Sequence, residues 1–402
     1  MKLNQKTMRR KMGKLGHWPA FVLRLLSFVL ILAACAPAAP AAPPARLTLA
    51  EALSGGAGQP FARALAPRPF TFPRDHGPHE EFAAEWWYYT GNLDTADGRH
   101  FGYQLTFFRF GLAPGAPRRP SDFAANSIYM AHFALADVAT GRFAAFDRFS
   151  RGAAGLAGAQ GEPFRVWLDD WSATGAGPQG LPMRLHAAEG DLAIDLTLES
   201  GKPPVLQGDR GLSQKSAEPG NASYYYSLTR MPTSGTVQAG GARHTVRGLS
   251  WMDREWSTSA LGPDQAGWDW FALQLSDGRD LMFYRLRLKD GTADPYSGGL
   301  LVAADGSARR LARDDVQLDV LGQWRSPHSG ATYPSGWRLR VPATGLDLRI
   351  IPYLPNQELP LAVVYWEGAV RIDGEAAGAP VTGAGYVELT GYAEQQGAAR
   401  VR

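Results

Sequence analysis

The sequence predicts an all-β protein made of two antiparallel barrels in tandem. Three observations carry that expectation. Short runs of alternating or apolar residues recur from Phe70 onward, while helical periodicity is scarce. Glycine turn signals separate the runs. A weak internal repeat recurs at about half the length of the chain beyond residue 34.

The N-terminal residues differ from the rest. Lys2, Lys6, Arg9, Arg10, Lys11, Lys14 and Arg24 precede Cys35, with no acidic residue among them. The apolar run at 21–34 is broken only by Arg24 and Ser27 and ends in Leu32-Ala33-Ala34-Cys35. A basic segment, a short apolar segment and small residues at the end predict an export signal over 1–34. The apolar run is shorter than the roughly 20 residues a spanning helix needs. Its ending resembles a bacterial lipobox, which makes Cys35 the expected lipidation site and membrane anchor. An ordinary cleaved signal with an incidental cysteine is the simpler alternative. Residues 35–60 then read as a lipidated cysteine followed by a stiff Ala/Pro tether, with a short helix expected at 47–53.

The chain carries a formal charge of +3, and seven of its basic residues lie in 1–34, so the remainder is close to −4. No basic patch remains to argue for nucleic acid. Cys35 is the only cysteine, so a large core, not disulfides, must stabilise the fold.

Strands are expected at 101–109, 192–198, 281–288 and 337–341, among others. Turns are expected at Asp97-Gly98, Thr140-Gly141, Asp277-Gly278, Asp290-Gly291, Asp305-Gly306 and Asp373-Gly374. Residues 86–99 and 268–279 are both aromatic strands entering a hairpin through Asp-Gly-Arg. That repeat divides the chain into a first domain at 61–235 and a second at 236–402. The linker is expected between Met231 and Arg247, where Pro232, Gly235, Gly240 and Gly241 cluster. Closed barrels would also remove exposed strand edges.

Two constellations could carry chemistry. In a strand, Glu85, Trp87 and Tyr89 share one face and Trp86 and Tyr88 the other. Two aromatic faces mean that neither is solvent, so one is expected to line a lumen. Glu85 is either a ligand-facing carboxylate or a buried acid paired with Arg109 or Arg99. The second is Gly248-Leu-Ser-Trp-Met-Asp-Arg-Glu-Trp-Ser257. There Trp251, Asp253 and Glu255 share a face opposite Met252, Arg254 and Trp256. Two carboxylates at that spacing in apolar surroundings raise the proton affinity of one of them, which suits a proton donor. A salt-bridge knot with Arg254 or Arg285 is the structural alternative. His132 lies on an apolar strand, as a hydrogen-bonded core histidine or a catalytic one. Asp75, His76, His79 and Glu80 sit on a Gly-Pro loop without metal-site geometry, so no metal is expected. The aromatic-acidic segments at 365–370 and 385–392, and the tyrosines at 224–226, read as strand packing. No Gly-x-Ser-x-Gly elbow and no glycine-rich phosphate loop is present.

Residues 72–79 with 85–93, Trp251-Met-Asp-Arg-Glu-Trp256 and Gly385-Tyr-Val-Glu-Leu-Thr-Gly-Tyr392 together resemble a known family. It is the lipocalin-like carotenoid 1,2-hydratase (hydroxyneurosporene synthase) and predicted secreted hydrolase family. The resemblance runs from Phe70 to Tyr392. It implies two tandem lipocalin-like antiparallel β-barrel domains and cofactor-independent chemistry. Carotenoid members add water across a terminal carbon–carbon double bond, and related lipocalin-like proteins act as pericyclases on polyketide chains. The family's proton donor is an aspartate two residues after an aromatic one, which Trp251 and Asp253 match. Glu255-Trp256-Ser257 stands where carotenoid hydratases have Asn-x-Gly, and resembles the secreted-hydrolase branch.

The expectation is therefore an exported, membrane-anchored, hydratase-like (carbon–oxygen lyase) or hydrolase-like enzyme without a cofactor, acting on a hydrophobic, isoprenoid or lipid-like substrate. Asp253 would be the acid, and Glu255 or His132 would position water. Glu85, Trp87, Tyr89, Trp251, Trp256 and Tyr226 would bind substrate. Its expected place is the bacterial cell envelope, facing the periplasm from the outer membrane. The alternative is a non-catalytic lipid carrier or accessory lipoprotein, serving an ABC-type export or lipid-transport complex.

Overall fold

A computed structural model describes residues 60–115, 121, 123–258 and 261–393. The expected signal, Cys35, the tether and the short helix at 47–53 lie outside these residues.

Two large antiparallel sheets account for most of the described chain. The first holds β1 (Ala84–Asp94), β2 (His100–Gly111), β3 (Ser127–Asp137), β4 (Arg142–Arg151), β5 (Ala157–Gly161), β6 (Phe164–Leu168) and β7 (Trp171–Gly175). It continues with β8 (Met183–Glu189), β9 (Leu192–Leu198), β10 (Val205–Leu206), β11 (Leu212–Gln214), β12 (Ala222–Ala239) and β13 (Ala242–Ser257). The second holds β14 (Gln265–Leu275), β15 (Asp280–Leu288), β16 (Gly298–Val302), β17 (Ala308–Ala312) and β18 (Gln317–Val320). After a small pair, β19 (Gln323–Arg325) and β20 (Thr332–Pro334), it resumes with β21 (Trp337–Val341), β22 (Leu346–Pro352), β23 (Glu358–Pro360), β24 (Val364–Ala376) and β25 (Ala379–Leu389).

The nine-strand path of the second sheet repeats the order of the first nine strands on the path of the first sheet. The first runs β4-β3-β2-β1-β13-β12-β9-β8-β7, then β6 and β5. The second runs β17-β16-β15-β14-β25-β24-β22-β21-β18. The two aromatic hairpins of the sequence repeat, β1–β2 and β14–β15, occupy the same place in each. Their Asp-Gly turns form as expected, with Gly98 and Gly278 both at φ 85°, a backbone conformation that glycine adopts without strain. Asp373-Gly374 is different: it lies inside β24, where Gly374 is extended and a Cβ would sit 2.2 Å from the Asp347 carbonyl oxygen. The glycine there admits a neighbouring strand instead of making a turn. The residues expected as a linker also pair. Gly240-Gly241 is the turn between β12 and β13, both of the first sheet, and the chain changes sheet between Ser257 and Gln265.

Each sheet curls round a solid core. Trp87 and Tyr89 from β1, Phe133 from β3, Val166 from β6 and Ile194 from β9 pack into one cluster. Trp171 of β7 meets Phe133 edge-on at 5.7 Å, which fastens the far strands onto the near ones. Phe271 and Trp337 do the same in the second sheet at 5.5 Å. The outer faces of the two sheets then pack on each other: Tyr88, Tyr225 and Trp251 of the first meet Trp270, Met282, Tyr284 and Tyr386 of the second. Gly102 marks a close approach, since a Cβ there would lie 2.4 Å from the Ala369 Cβ. This explains why the central strands are buried on both faces and read as near-continuous apolar runs.

Candidate functional site

The strand faces expected from the sequence form, and the β1 face that lines a cavity is that of Trp86 and Tyr88, not that of Glu85, Trp87 and Tyr89. Glu85, Trp87 and Tyr89 point into the first core, which side chains from β5 to β9 fill. The Trp87 indole donates to the His76 carbonyl at 2.6 Å, and the Tyr89 hydroxyl points at the Met183 sulfur. Trp256 also faces inward, stacked on His79 with ring centres 3.7 Å apart. Tyr226 bonds His76 Nδ1 at 2.6 Å. None of these five lines the cavity described below.

Glu85 is instead the centre of a buried ion network. Arg109 and Arg254 both donate to its carboxylate, and the His79 backbone N–H adds a bond at 3.0 Å. Burial pushes the Glu85 carboxyl up, but the two guanidiniums more than reverse it and hold it well below the usual carboxylate range. Arg254 also lies 4.0 Å from the Trp87 ring centre. The loop at Asp75, His76 and His79 joins this network, with Asp75 accepting from Arg68 at 2.7 Å and from the Thr71 backbone at 2.6 Å.

The cavity lies between the two sheets and has a volume of about 120 Å³. The residues on the outward face of β13 reach it: Asp253 and Glu255 line the space. Trp251, on the same face, stands behind Asp253 and donates its indole N–H to Oδ1 at 2.7 Å. Ser227 donates to the same oxygen at 2.5 Å, and the Tyr225 hydroxyl donates to Oδ2. Oδ1 thus carries two donors and Oδ2 one, so a proton on Asp253 belongs on Oδ2. Burial raises the Asp253 carboxyl from an ordinary 3.8 to about 7, against the pull of its three hydrogen bonds, and the nearby Glu255 adds to the rise. Desolvation wins because, among the described residues, no cation contacts this carboxylate.

Glu255 has the opposite surroundings. Ser223 donates to it and the Lys215 ammonium lies 3.2 Å away. Lys215 is itself held in its charged form: burial pulls its proton affinity down, and the Glu255 charge more than restores it. Its Nζ sits 4.6 Å from the centre of the Tyr284 ring. The i, i+2 carboxylates of β13 are therefore split into a neutralisable acid and an ion-paired one, a division of the kind used for acid–base work.

His132 does not line the cavity. Its Nδ1 meets the Tyr365 hydroxyl at 2.8 Å, Nε2 has no hydrogen-bond partner, and burial lowers its proton affinity to about 3. A neutral His132 braces Tyr365, which does line the cavity.

Four groups that local pattern assigns to strand packing line the cavity. Tyr225 and Tyr365 present hydroxyls, and Glu367 and Glu388 present carboxyls. Glu367 and Glu388 sit directly opposite each other on β24 and β25. Burial raises Glu367 well above the ordinary range, with the Glu388 charge adding, and raises Glu388 to about 8. Trp268 donates to Glu388 at 2.8 Å. The alternating Tyr365-Trp-Glu367 and Tyr386-Val-Glu388 patterns were the available signal. What was missing is that both sheets turn this face towards each other. Indole and phenol rings complete the walls: Trp86 and Tyr88 from β1, and Trp268, Trp270 and Tyr284 from the second sheet. Such a space can protonate an apolar guest and shield a positive charge that results.

The likeness to known proteins matches this architecture. A protein from Nitrosomonas europaea assigned to AttH has a solved structure with TM-score 0.74 and 35% identity, covering 83% of this chain and 99% of that one. Kievitone hydratase from Nectria haematococca shares the fold at TM-score 0.62 and 16% identity, covering 83% of this chain and 98% of that one. No curated protein sequence matches the chain. The family model described as AttH-like matches residues 63–392, both sheets together, and the chain belongs to the AttH-like family.

Proposed function

We propose that the protein is a cofactor-independent hydratase, or an acid–water hydrolase, for a hydrophobic substrate of isoprenoid type, working in the cavity between the two sheets. One observation carries the reading: Asp253 is a buried carboxyl on the cavity wall whose proton affinity has risen to about 7. An acid of that strength is half-protonated near neutrality and can deliver a proton to an alkene. The walls supply what the cation then needs, π-faces and little water. Glu255, paired with Lys215, and the two carboxyls of the second sheet, Glu367 and Glu388, are the groups left to manage water. That a fold neighbour is named a hydratase is compatible with such chemistry on this scaffold.

Export and anchoring through Cys35 complete the proposal, resting on the basic, apolar and small-residue order before Cys35. Labelling with a radioactive fatty acid should mark the wild-type protein and leave Cys35→Ser unmarked. The reaction itself is tested on the mature protein purified with whatever it carries. Solvent extracts taken before and after incubation should show a guest that gains one water, and Asp253→Asn should fold and leave it unchanged. A guest that stays unaltered for hours in the wild type favours the carrier reading instead.

A further inference from the structure

The cavity holds more acid than one proton donor requires. Asp253, Glu255, Glu367 and Glu388 all face it, and Lys215 is the one cation among its lining residues. With Lys215 committed to Glu255, full ionisation would leave three uncompensated charges in a dry space. Buried charge of that kind is neutralised by holding protons.

The duplicated topology shows where the second proton resides. In the first sheet, Asp253 on β13 has Tyr88 of β1 opposite it on one side and Ser227 of β12 on the other. In the second sheet, Glu388 on β25 has Trp270 of β14 on one side and Glu367 of β24 on the other. β13 and β25 hold the same place in the two strand orders, as do β1 and β14, and β12 and β24. Tyr225 and Tyr365 stand two residues before Ser227 and Glu367. Glu388 is thus the repeat's counterpart of Asp253, and a carboxyl replaces the serine beside it. Both Glu367 oxygens are buried without a well-formed hydrogen bond, although the Tyr88 and Tyr365 hydroxyls face them.

We propose that Glu388 and Glu367 form a second proton-handling centre, the duplicate of the Asp253 site, and share one proton between them. The ionised member is the base that takes a proton from the attacking water. The proposal rests on the hydration reading above. In the reaction, the Asp253 O–H bond breaks as its proton and the alkene electron pair form a C–H bond, leaving a carbocation. A water oxygen then forms the C–O bond while one of its O–H bonds breaks, and that proton goes to the Glu367–Glu388 pair. The pair returns a proton to Asp253 when the site resets, so the sum is alkene plus water to alcohol. The charged and titratable groups facing the pair are Asp253, Glu255 and the hydroxyls of Tyr88, Tyr365 and Tyr386, with Lys215 beyond Glu255. Among the described residues, no cation contacts the pair to compete for the shared proton.

Infrared spectroscopy reads the pair without a substrate. At pH 7, Asp253→Asn protein should retain a carboxylic-acid carbonyl band that Glu388→Gln or Glu367→Gln, added to it, removes or weakens. Asp253→Asn protein with no such band overturns the shared proton. Geraniol in D₂O reads the base. Wild-type protein should give deuterated alcohol. Glu388→Gln should still place deuterium on the alkene carbon while alcohol formation falls roughly 100-fold or more, and Asp253→Asn should do neither. Wild-type alcohol formation by Glu388→Gln overturns the base assignment. No deuterium in any protein overturns hydration of this probe and the base role with it, whereas an acid band in Asp253→Asn would still establish the pair.

Discussion

Replacing Asp253 by asparagine should make the protein more stable at alkaline pH and remove a pH dependence that the wild type shows. The folded carboxyl holds its proton up to about 7, against 3.8 in an exposed reference. Asp253 is only 4% exposed, so solvent screening does little to reduce this difference. Its folded proton affinity is raised, so its contribution is fully present below about pH 4 and is lost as pH rises through about 7. Three pH units at about 1.4 kcal/mol each give a total near 4 kcal/mol, of which roughly 2–3 kcal/mol falls between pH 5 and 9. Asparagine keeps the shape, can accept from Trp251 and Ser227 through its oxygen, and cannot ionise. Urea unfolding of both proteins from pH 5 to 9 measures the effect. The wild type should lose those 2–3 kcal/mol relative to Asp253→Asn as pH rises. Parallel curves would mean that Asp253 is ionised and comfortable in the fold, and the proton-donor reasoning would fail.

Three further outcomes are expected. Tyr225→Phe removes a donor that favours the charged Asp253; the aspartate should hold its proton to higher pH, and the alkaline limb of the rate profile should move up. Glu85→Gln leaves the Arg109 and Arg254 guanidiniums uncompensated in the first core, so unfolding free energy should fall by about 3–5 kcal/mol in a denaturant titration. A loss below about 1 kcal/mol would show that the network is not a stabilising unit. Gly102→Val drives a side chain into Ala369 where the sheets touch; thermal unfolding should show a cost of about 1–3 kcal/mol, and an unchanged midpoint would mean that the sheets are free to part there.

The all-β class, the repeat and the faces of β1 and β13 could be read from the sequence because strand periodicity is local. Asp253 and Glu255 were singled out by that alone, and they do share a wall. The two-carboxylate pattern leaves two possibilities, an acid or a salt-bridge knot, and the position of Lys215 divides them: Glu255 pairs with it, and among the described residues no cation contacts Asp253. Local pattern could not tell which face looks into a barrel and which looks at the other barrel, since both are aromatic and buried. That ambiguity sent Trp87, Tyr89, Trp256 and Tyr226 to the substrate and hid Glu367 and Glu388. Asp373-Gly374 misleads for a related reason, whereas Gly240-Gly241, expected as part of a linker, is a tight turn inside the first sheet. Glycine serves both tight turns and close strand approach, and only pairing across the sheet separates the two.

Turnover in ¹⁸O-labelled water tests the central claim most directly. A panel of trisubstituted terminal alkenes is incubated with wild-type protein and with Asp253→Asn, and the products are weighed by mass spectrometry. Tertiary alcohols carrying the heavy oxygen from wild type, with formation down roughly 100-fold or more in the variant, are the expected result. Equal labelling by the two proteins would contradict the account.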